Sequence, residues 1–229
     1  MVIMNGKLFV IEGVDGSGKQ TQTELLYKRL KNDGYKIMKA SYPNYESSSS
    51  ALVKMYLGGE FGQNPDDVDP YVCSTFYAVD RYATFKINQE KFYNEGGIIL
   101  TDRYTTSNMV HQASKIEDEK EKDKYLDWLM EFEYNLYKIP KPTKIFFLDI
   151  PPEVTSELIK NRQNKIDHQD VKDIHEKNTT HMTKSYNNAL GLCIKYDWKR
   201  IRCYDGEKVL SIEEINDMLY DEIVSSIGK

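Results

Sequence analysis

Residues 13–19 read Gly-Val-Asp-Gly-Ser-Gly-Lys and directly follow the apolar run Leu8-Phe-Val-Ile11. A triphosphate needs several N–H donors converging on it, and glycines let a backbone curl tightly enough to aim consecutive amides into one concavity. A helix expected over 21–33 adds its positive N-terminal end to that concavity. Gly13, Val14, Asp15, Gly16, Ser17, Gly18, Lys19, Gln20 and Thr21 are therefore the candidate residues for binding ATP. Lys19 supplies a compact, mobile charge for the β- and γ-phosphates, favouring the charge distribution of transfer over that of the ground state. One position departs from the usual pattern. Gln20 stands where Ser or Thr normally offers a hydroxyl to Mg²⁺, so the direct protein ligand of a metal stays open, with holding through water and carboxylates as the alternative.

A second candidate site lies at Asp102-Arg103-Tyr104, directly after the apolar run 97–101. Strand ends at this edge of a parallel sheet form the ligand crevice. Asp102 there can hold Mg²⁺ or its waters, and Arg103 can grip a phosphate with its planar fork. A strand-terminal ion pair without a catalytic role is the bland alternative. Tyr77 and Arg81 lie four apart on a helix expected over 69–94, so an aromatic ring and a guanidinium can meet one flat base. Asn108 can present both a donor and an acceptor to a base edge.

The elements that must position these residues can be read from periodicity. Short apolar runs alternate with helical stretches, the pattern of a parallel sheet wrapped by crossover helices, so the class is α/β. Strands are expected over 7–11, 35–41, 97–101, 144–148 and 200–204, enough for a doubly wound five-stranded sheet. The helix over 21–33 stops at Gly34, and that over 69–94 has Asp69 as cap, Pro70 at its first position and Gly96-Gly97 beyond its end. The last helix opens with Ser211 and Glu214 at capping-box spacing, and another begins near Ala51.

At 229 residues with 40% hydrophobic and 29% charged, the chain fits one domain over 1–229. Its net charge of −5 argues against binding a nucleic-acid polymer, which needs a basic excess. Cys73, Cys193 and Cys203 are odd in number and form no CxxC pair, so neither a disulfide scaffold nor a zinc site is expected, and a reducing cytoplasm fits. No apolar run approaches the ~18 residues of a membrane span, so no membrane partner is expected.

With the loop at 13–19 in place, the motifs Tyr42-Pro43-Asn44-Tyr45, Phe76-Tyr77-Ala-Val-Asp80-Arg81, Asp102-Arg103-Tyr104 with Ser107-Asn108, Leu148-Asp149-Ile-Pro-Pro-Glu153 and Asp173-Ile-His-Glu176 come in order along the chain. In that order and spacing the chain resembles the thymidylate kinase family along almost its whole length. The resemblance implies a P-loop fold and transfer of the γ-phosphoryl group of ATP to dTMP, with Mg²⁺ and a homodimer formed by helix packing. It implies that Tyr77 stacks on thymine where the family more often has Phe, that Arg81 donates to O4, and that Arg103 holds the acceptor phosphate. Asp15 is implied close to that phosphate or the 3′-hydroxyl and the metal, with Tyr42 and Tyr45 nearby.

Residues 162–176 are polar and lack clean periodicity, as a mobile lid would, and Arg162, Lys165 and Lys172 are its cations. Because Gly16 and Ser17 leave the loop without an arginine, a lid cation is expected to supply transition-state charge, Arg162 before the others. His111 stands where the family usually has an aromatic residue or glutamine near the sugar, and His175 where tyrosine is frequent. Two other readings compete. Asn164-Lys165-Ile166-Asp167 matches the guanine-reading motif of GTP switches, but it continues a helix instead of following a buried strand. Another nucleoside-monophosphate or deoxynucleoside kinase is the nearer rival.

Overall fold

The computed structural model describes residues 6–163 and 179–228, the side chains of 159–163 and 179 excepted. Strand β1 (Lys7–Glu12) lies at the centre of the sheet. It pairs with β3 (Ile98–Asp102) on one side and β4 (Lys144–Asp149) on the other, while β2 (Ile37–Ser41) and β5 (Lys199–Arg202) take the edges. All pairings are parallel, giving the order β2-β3-β1-β4-β5. Leu8, Phe9, Val10 and Ile11 are buried on both faces of the sheet, which is why β1 reads as an unbroken apolar run.

Helices α1 (Lys19–Asn32) and α9 (Ile212–Ile227) cover one face, where Leu26, Leu30, Leu219 and Ile223 pack on Phe9, Ile11, Phe146 and Leu148. Gln22 locks the two helices, donating to the Ile212 carbonyl and accepting from Asn216, both at 2.9 Å. After α2 (Ala51–Leu57), the long α3 (Pro70–Thr84) and the short α4 (Glu90–Asn94) precede β3. On the second face α5 (Thr105–His111), α6 (Glu119–Met130) and α8 (Thr179–Lys195) bury Val110, Leu126, Leu129 and Leu192 against Phe147. Helix α7 (Pro152–Gln163) comes after β4.

The expected caps form. The Asp69 carboxylate accepts from the N–H groups of Tyr71 and Val72, and Ser211 and Glu214 make a reciprocal box. Most strand limits shift by a residue or two, β2 beginning at Ile37 instead of 35, and three differences have a structural cause. Helix α1 begins at Lys19 instead of 21, because Gly18 at φ 84° turns the loop straight into the helix. The helix expected over 69–94 is interrupted by a π turn, Phe85–Gln89, and α6 runs on through a second, Glu131–Leu136. Strand β5 ends at Arg202 instead of 204, since Tyr204 turns back to pair antiparallel with Val209.

The lid expectation over 162–176 falls largely outside the described residues, with Lys165, Lys172 and His175 among them; Arg162 lies in α7 with its side chain outside the description. The guanine-reading match at 164–167 also lies outside. A helix, α7, runs to the residue before it, where a switch would need a strand. The three cysteines are buried and free, and burial pushes each thiol up to about 12.

Candidate active site

At the carboxyl ends of β1 and β3 two cavities open side by side. Every residue expected at the acceptor lines the first, of ≈ 370 Å³: Asp15, Tyr42, Tyr45, Tyr77, Arg81, Arg103, Asn108 and His111, with Gln20, Tyr104 and Ser107 beside them. The second, of ≈ 280 Å³, is lined by Asp15, Gly16, Gly18, Lys19, Gln20, Thr21, Asp102 and Arg103. Asp15, Gln20 and Arg103 border both. A group in the one thus meets a group in the other across these three side chains.

The loop between β1 and α1 is built for a close backbone approach. Gly18 caps α1 in the left-handed region, and a Cβ on Gly13 would come within 2.6 Å of Ser17 Oγ and 3.2 Å of the Leu148 carbonyl. Gly13, Val14 and Ser17 are buried and do not border the second cavity, so any part they take is through the backbone or by shaping the turn. The Ser17 hydroxyl is buried with no hydrogen-bond partner among the described residues. Lys19 is buried, donates to the Val14 carbonyl at 2.8 Å and lies 3.7 Å from Asp15 Oδ1. Burial, then the nearby Arg103 charge, push its ammonium down to about 8, against the opposing pull of Asp15 and Glu12.

Arg103 adopts φ 66°, unusual for a side chain with a Cβ, and is held there by its N–H on the Ile11 carbonyl and its own carbonyl on Thr101 Oγ1. That conformation brings the guanidinium back over β1, where Nη2 meets Asp15 Oδ1 and Nη1 lies 3.1 Å from His111 Nε2. A guanidinium can only donate, so His111 Nε2 accepts and the ring proton sits on Nδ1, 3.2 Å from Ser185 Oγ. Burial works to lower the Arg103 pKa, but the Asp15 and Glu12 carboxylates outweigh it and keep the group above its ordinary value. Asp15 Oδ1 therefore already faces two cations, whereas the Asp102 carboxylate accepts no hydrogen bond among the described residues.

On the acceptor side, Tyr42 is buried with its hydroxyl donated to Gln89 Oε1 at 2.6 Å, so it offers the cavity only its ring. Asp80 accepts from the Asn44 N–H at 2.8 Å and from Ser49 Oγ at 2.6 Å, which fixes the loop that carries Tyr45. Asn108 is buried and donates to the Ser74 carbonyl over a long 3.4 Å.

The family model described as thymidylate kinase matches residues 11–201, which takes in both cavities and all five strands but for the first residues of β1 and the end of β5. The chain belongs to the thymidylate kinase family. It is 30% identical over 152 residues to the probable thymidylate kinase of Pyrobaculum aerophilum, covering 66% of this chain and 69% of the relative. It is also 30% identical over 159 residues to the thymidylate kinase of Mycobacterium tuberculosis, 69% and 72% of the two chains. The thymidylate kinase of Brachyspira hyodysenteriae is 29% identical over 166 residues, 72% and 73%. Membership makes this chain a P-loop nucleoside-monophosphate kinase, and the parallel five-stranded sheet with helices on both faces is the fold that family requires.

Two carboxylates of this thymidylate kinase fold escaped the sequence reading. Glu12, the last residue of β1, is buried and accepts from the Gly13 N–H, Thr106 Oγ1 and Ser107 Oγ. It ties the start of the loop to the start of α5. Glu133 is fully buried against Arg81. Each carries one available signal, an acid in phase with a buried apolar face: Glu12 ends Leu8-Phe-Val-Ile11, and Glu133 lies four beyond Leu129. An acid in that phase demands a buried donor or cation.

Proposed function

We propose that the protein transfers the γ-phosphoryl group of ATP to dTMP, giving ADP and dTDP. The observation that carries this reading is the junction of the two cavities at Asp15, Gln20 and Arg103. A monophosphate whose base reaches toward Tyr77 and Arg81 has its phosphate at that junction, facing the triphosphate's terminal group over Lys19. An oxygen of the acceptor phosphate attacks the γ-phosphorus in line, while the bond to the β–γ bridging oxygen breaks and its electrons leave with ADP. No covalent enzyme intermediate is needed, because alignment and charge neutralisation carry this chemistry. Lys19 and Arg103 neutralise charge from the two sides, and Asp15 orients both cations. Arg162 is proposed as the lid cation, since Gly16 and Ser17 leave the loop itself without an arginine.

Mg²⁺ fits the donor set under the same proposal. The ion usually takes one or two carboxylates with water and phosphate oxygens, and Asp102 borders the phosphate cavity without a hydrogen-bond partner among the described residues. Asp102 would hold it directly or through water, with Asp15 limited to the outer part by its two cations. The bound ion would offset charge on the phosphates.

Arg81 and Asn108 are proposed to read the thymine edge and Tyr77 to stack on its face, which favours strong exclusion of dCMP. Hydrogen-bond mismatch can supply ~10⁴-fold rejection, whereas the thymine methyl is worth only about 1–3 kcal/mol, so dUMP is excluded less strongly. Turnover of dTMP, dCMP, dUMP, thymidine and AMP with ATP and Mg²⁺ tests the reading. dTMP should lead and dCMP should trail by about 10³-fold or more; negligible dTMP turnover, or preference for thymidine, would remove the assignment.

The chain is further proposed to work as one domain over 1–229, in the cytoplasm, as a homodimer. Val72, Val79 and Tyr82 are exposed apolar residues of α3, and Ile87 and Leu136 are exposed in the two π turns. No helix among the described residues is long and apolar enough to cross a membrane. Light scattering should give twice the chain mass of 26.7 kDa, and a monomer at micromolar concentration would end the dimer proposal.

A further inference from the structure

Arg81 is among the largest fully buried side chains, yet it borders the acceptor cavity. Its guanidinium is held from two sides. Nη1 donates to both Glu133 oxygens, at 2.9 and 2.8 Å, and Nη2 donates to the Tyr104 carbonyl at 3.0 Å. Nε is buried with no hydrogen-bond partner among the described residues. Thr105 Oγ1 in turn donates to Glu133 Oε2 at 2.9 Å, so the carboxylate is itself fixed by the start of α5. The Tyr42 and Tyr104 rings lie 5.9 and 5.5 Å from the guanidinium carbon.

Glu133 reaches this position from the second π turn, where the Tyr137 N–H bonds the carbonyl of Phe132, five residues back. A π turn inserts a residue into a helix and re-aims the side chains beyond it, and such turns gather at functional sites. The first π turn serves the same cavity, because its Gln89 takes the Tyr42 hydroxyl. Burial pushes the Glu133 carboxyl up, while Arg81 and then Thr105 oppose the shift. A buried pair of this kind is a weak source of stability but a strong constraint on geometry.

The pair also changes what the cavity attracts. An uncompensated buried guanidinium would draw a phosphate into the base end, whereas one neutralised by a carboxylate keeps its hydrogen-bond direction and loses that long-range pull. An unpaired buried donor is costly, so the best partner for the remaining donor is a neutral carbonyl of the ligand.

We infer that Glu133 is a positioning residue for base recognition: delivered by the π turn, it clamps and neutralises Arg81 so that the guanidinium reads a base carbonyl and not a phosphate. The inference rests on the reading of the acceptor as dTMP. The test compares wild type, Glu133→Gln and Glu133→Asp, each checked for fold by near-ultraviolet circular dichroism. For Glu133→Gln, kcat/KM for dTMP should fall on the order of 10- to 100-fold, mostly through KM. The dTMP-to-dCMP ratio should fall at least tenfold and KM for ATP should stay within twofold. Glu133→Asp keeps the charge at a shorter reach and should recover part of the ratio; it also decides the matter should the glutamine variant not fold. Wild-type preference for dTMP over dCMP in every variant that folds would overturn the role of Glu133. Failure of wild type to phosphorylate dTMP would instead strike the functional reading, so the two failures are distinct.

Discussion

Lys19→Ala should lower kcat by about 10³-fold while the protein stays folded. The ammonium lies 2.8 Å from the Val14 carbonyl of the glycine loop and borders the smaller of the two cavities. Under the proposed reading its contact with the terminal phosphate grows as charge moves during transfer, so the loss should appear in turnover more than in binding. Nothing in the sheet depends on it. In the free protein its charge is a burden, because burial holds the folded pKa at about 8 against an ordinary 10.5. Below pH 8 both folded and unfolded chains carry the proton, and the cost of burying it is fully present. Between about 8 and 10.5 the folded chain releases its proton first, and stability rises with pH through that window. Lys19→Met, which keeps the volume without the charge, should therefore be as stable as wild type or more so at pH 7, with the gap closing toward pH 10.5 in urea titrations. Near-normal turnover would contradict the role of the ammonium, and a Lys19→Met protein that unfolds readily at pH 7 would contradict the sign of the burial cost.

Arg103→Ala should reduce kcat/KM for dTMP by about 10²- to 10³-fold. This residue is held at positive φ, its guanidinium joins Asp15 and His111, and it borders both cavities. Under the proposed reading its removal takes away the grip on the acceptor phosphate, and it leaves Asp15 with one cation fewer. Arg103→Lys should recover little, since an ammonium cannot span Asp15 and a phosphate with one planar fork. Full recovery by lysine in steady-state kinetics would mean that only a point charge is needed and that the strained backbone at this position serves something else.

Much of this was legible because the strong signals were local. The buried strands announced themselves as apolar runs, and the Asp69 and Ser211 caps came from side-chain chemistry a few residues long. The residues expected at the acceptor, scattered from Asp15 to His111, came from side-chain chemistry and from a resemblance in order and spacing, and all of them border one cavity. The features that could not be read were set by tertiary contact. A π turn leaves no mark in a helical pattern: the break at Phe85–Gln89 is visible only once Gln89 is seen to meet Tyr42, 47 residues away. The phase of Glu133 with buried Leu129 signals a buried acid, but not its partner, because Arg81 lies 52 residues earlier. Likewise β5 stops early because Tyr204 pairs with Val209, a reversal that no turn residue before Asp205-Gly206 signals.

The proposed chemistry depends on one geometry: two nucleotides meet at Asp15, Gln20 and Arg103, the triphosphate over the glycine loop and a thymine ring against Tyr77 and Arg81. A crystal structure with dTMP and a non-transferable ATP analogue puts it to the test. The base should lie in the larger cavity with O4 toward Arg81, the acceptor phosphate at Arg103, and the terminal phosphate of the analogue beside Lys19. A thymine ring bound elsewhere, or an acceptor phosphate turned toward Arg81 and away from Arg103, would refute that geometry.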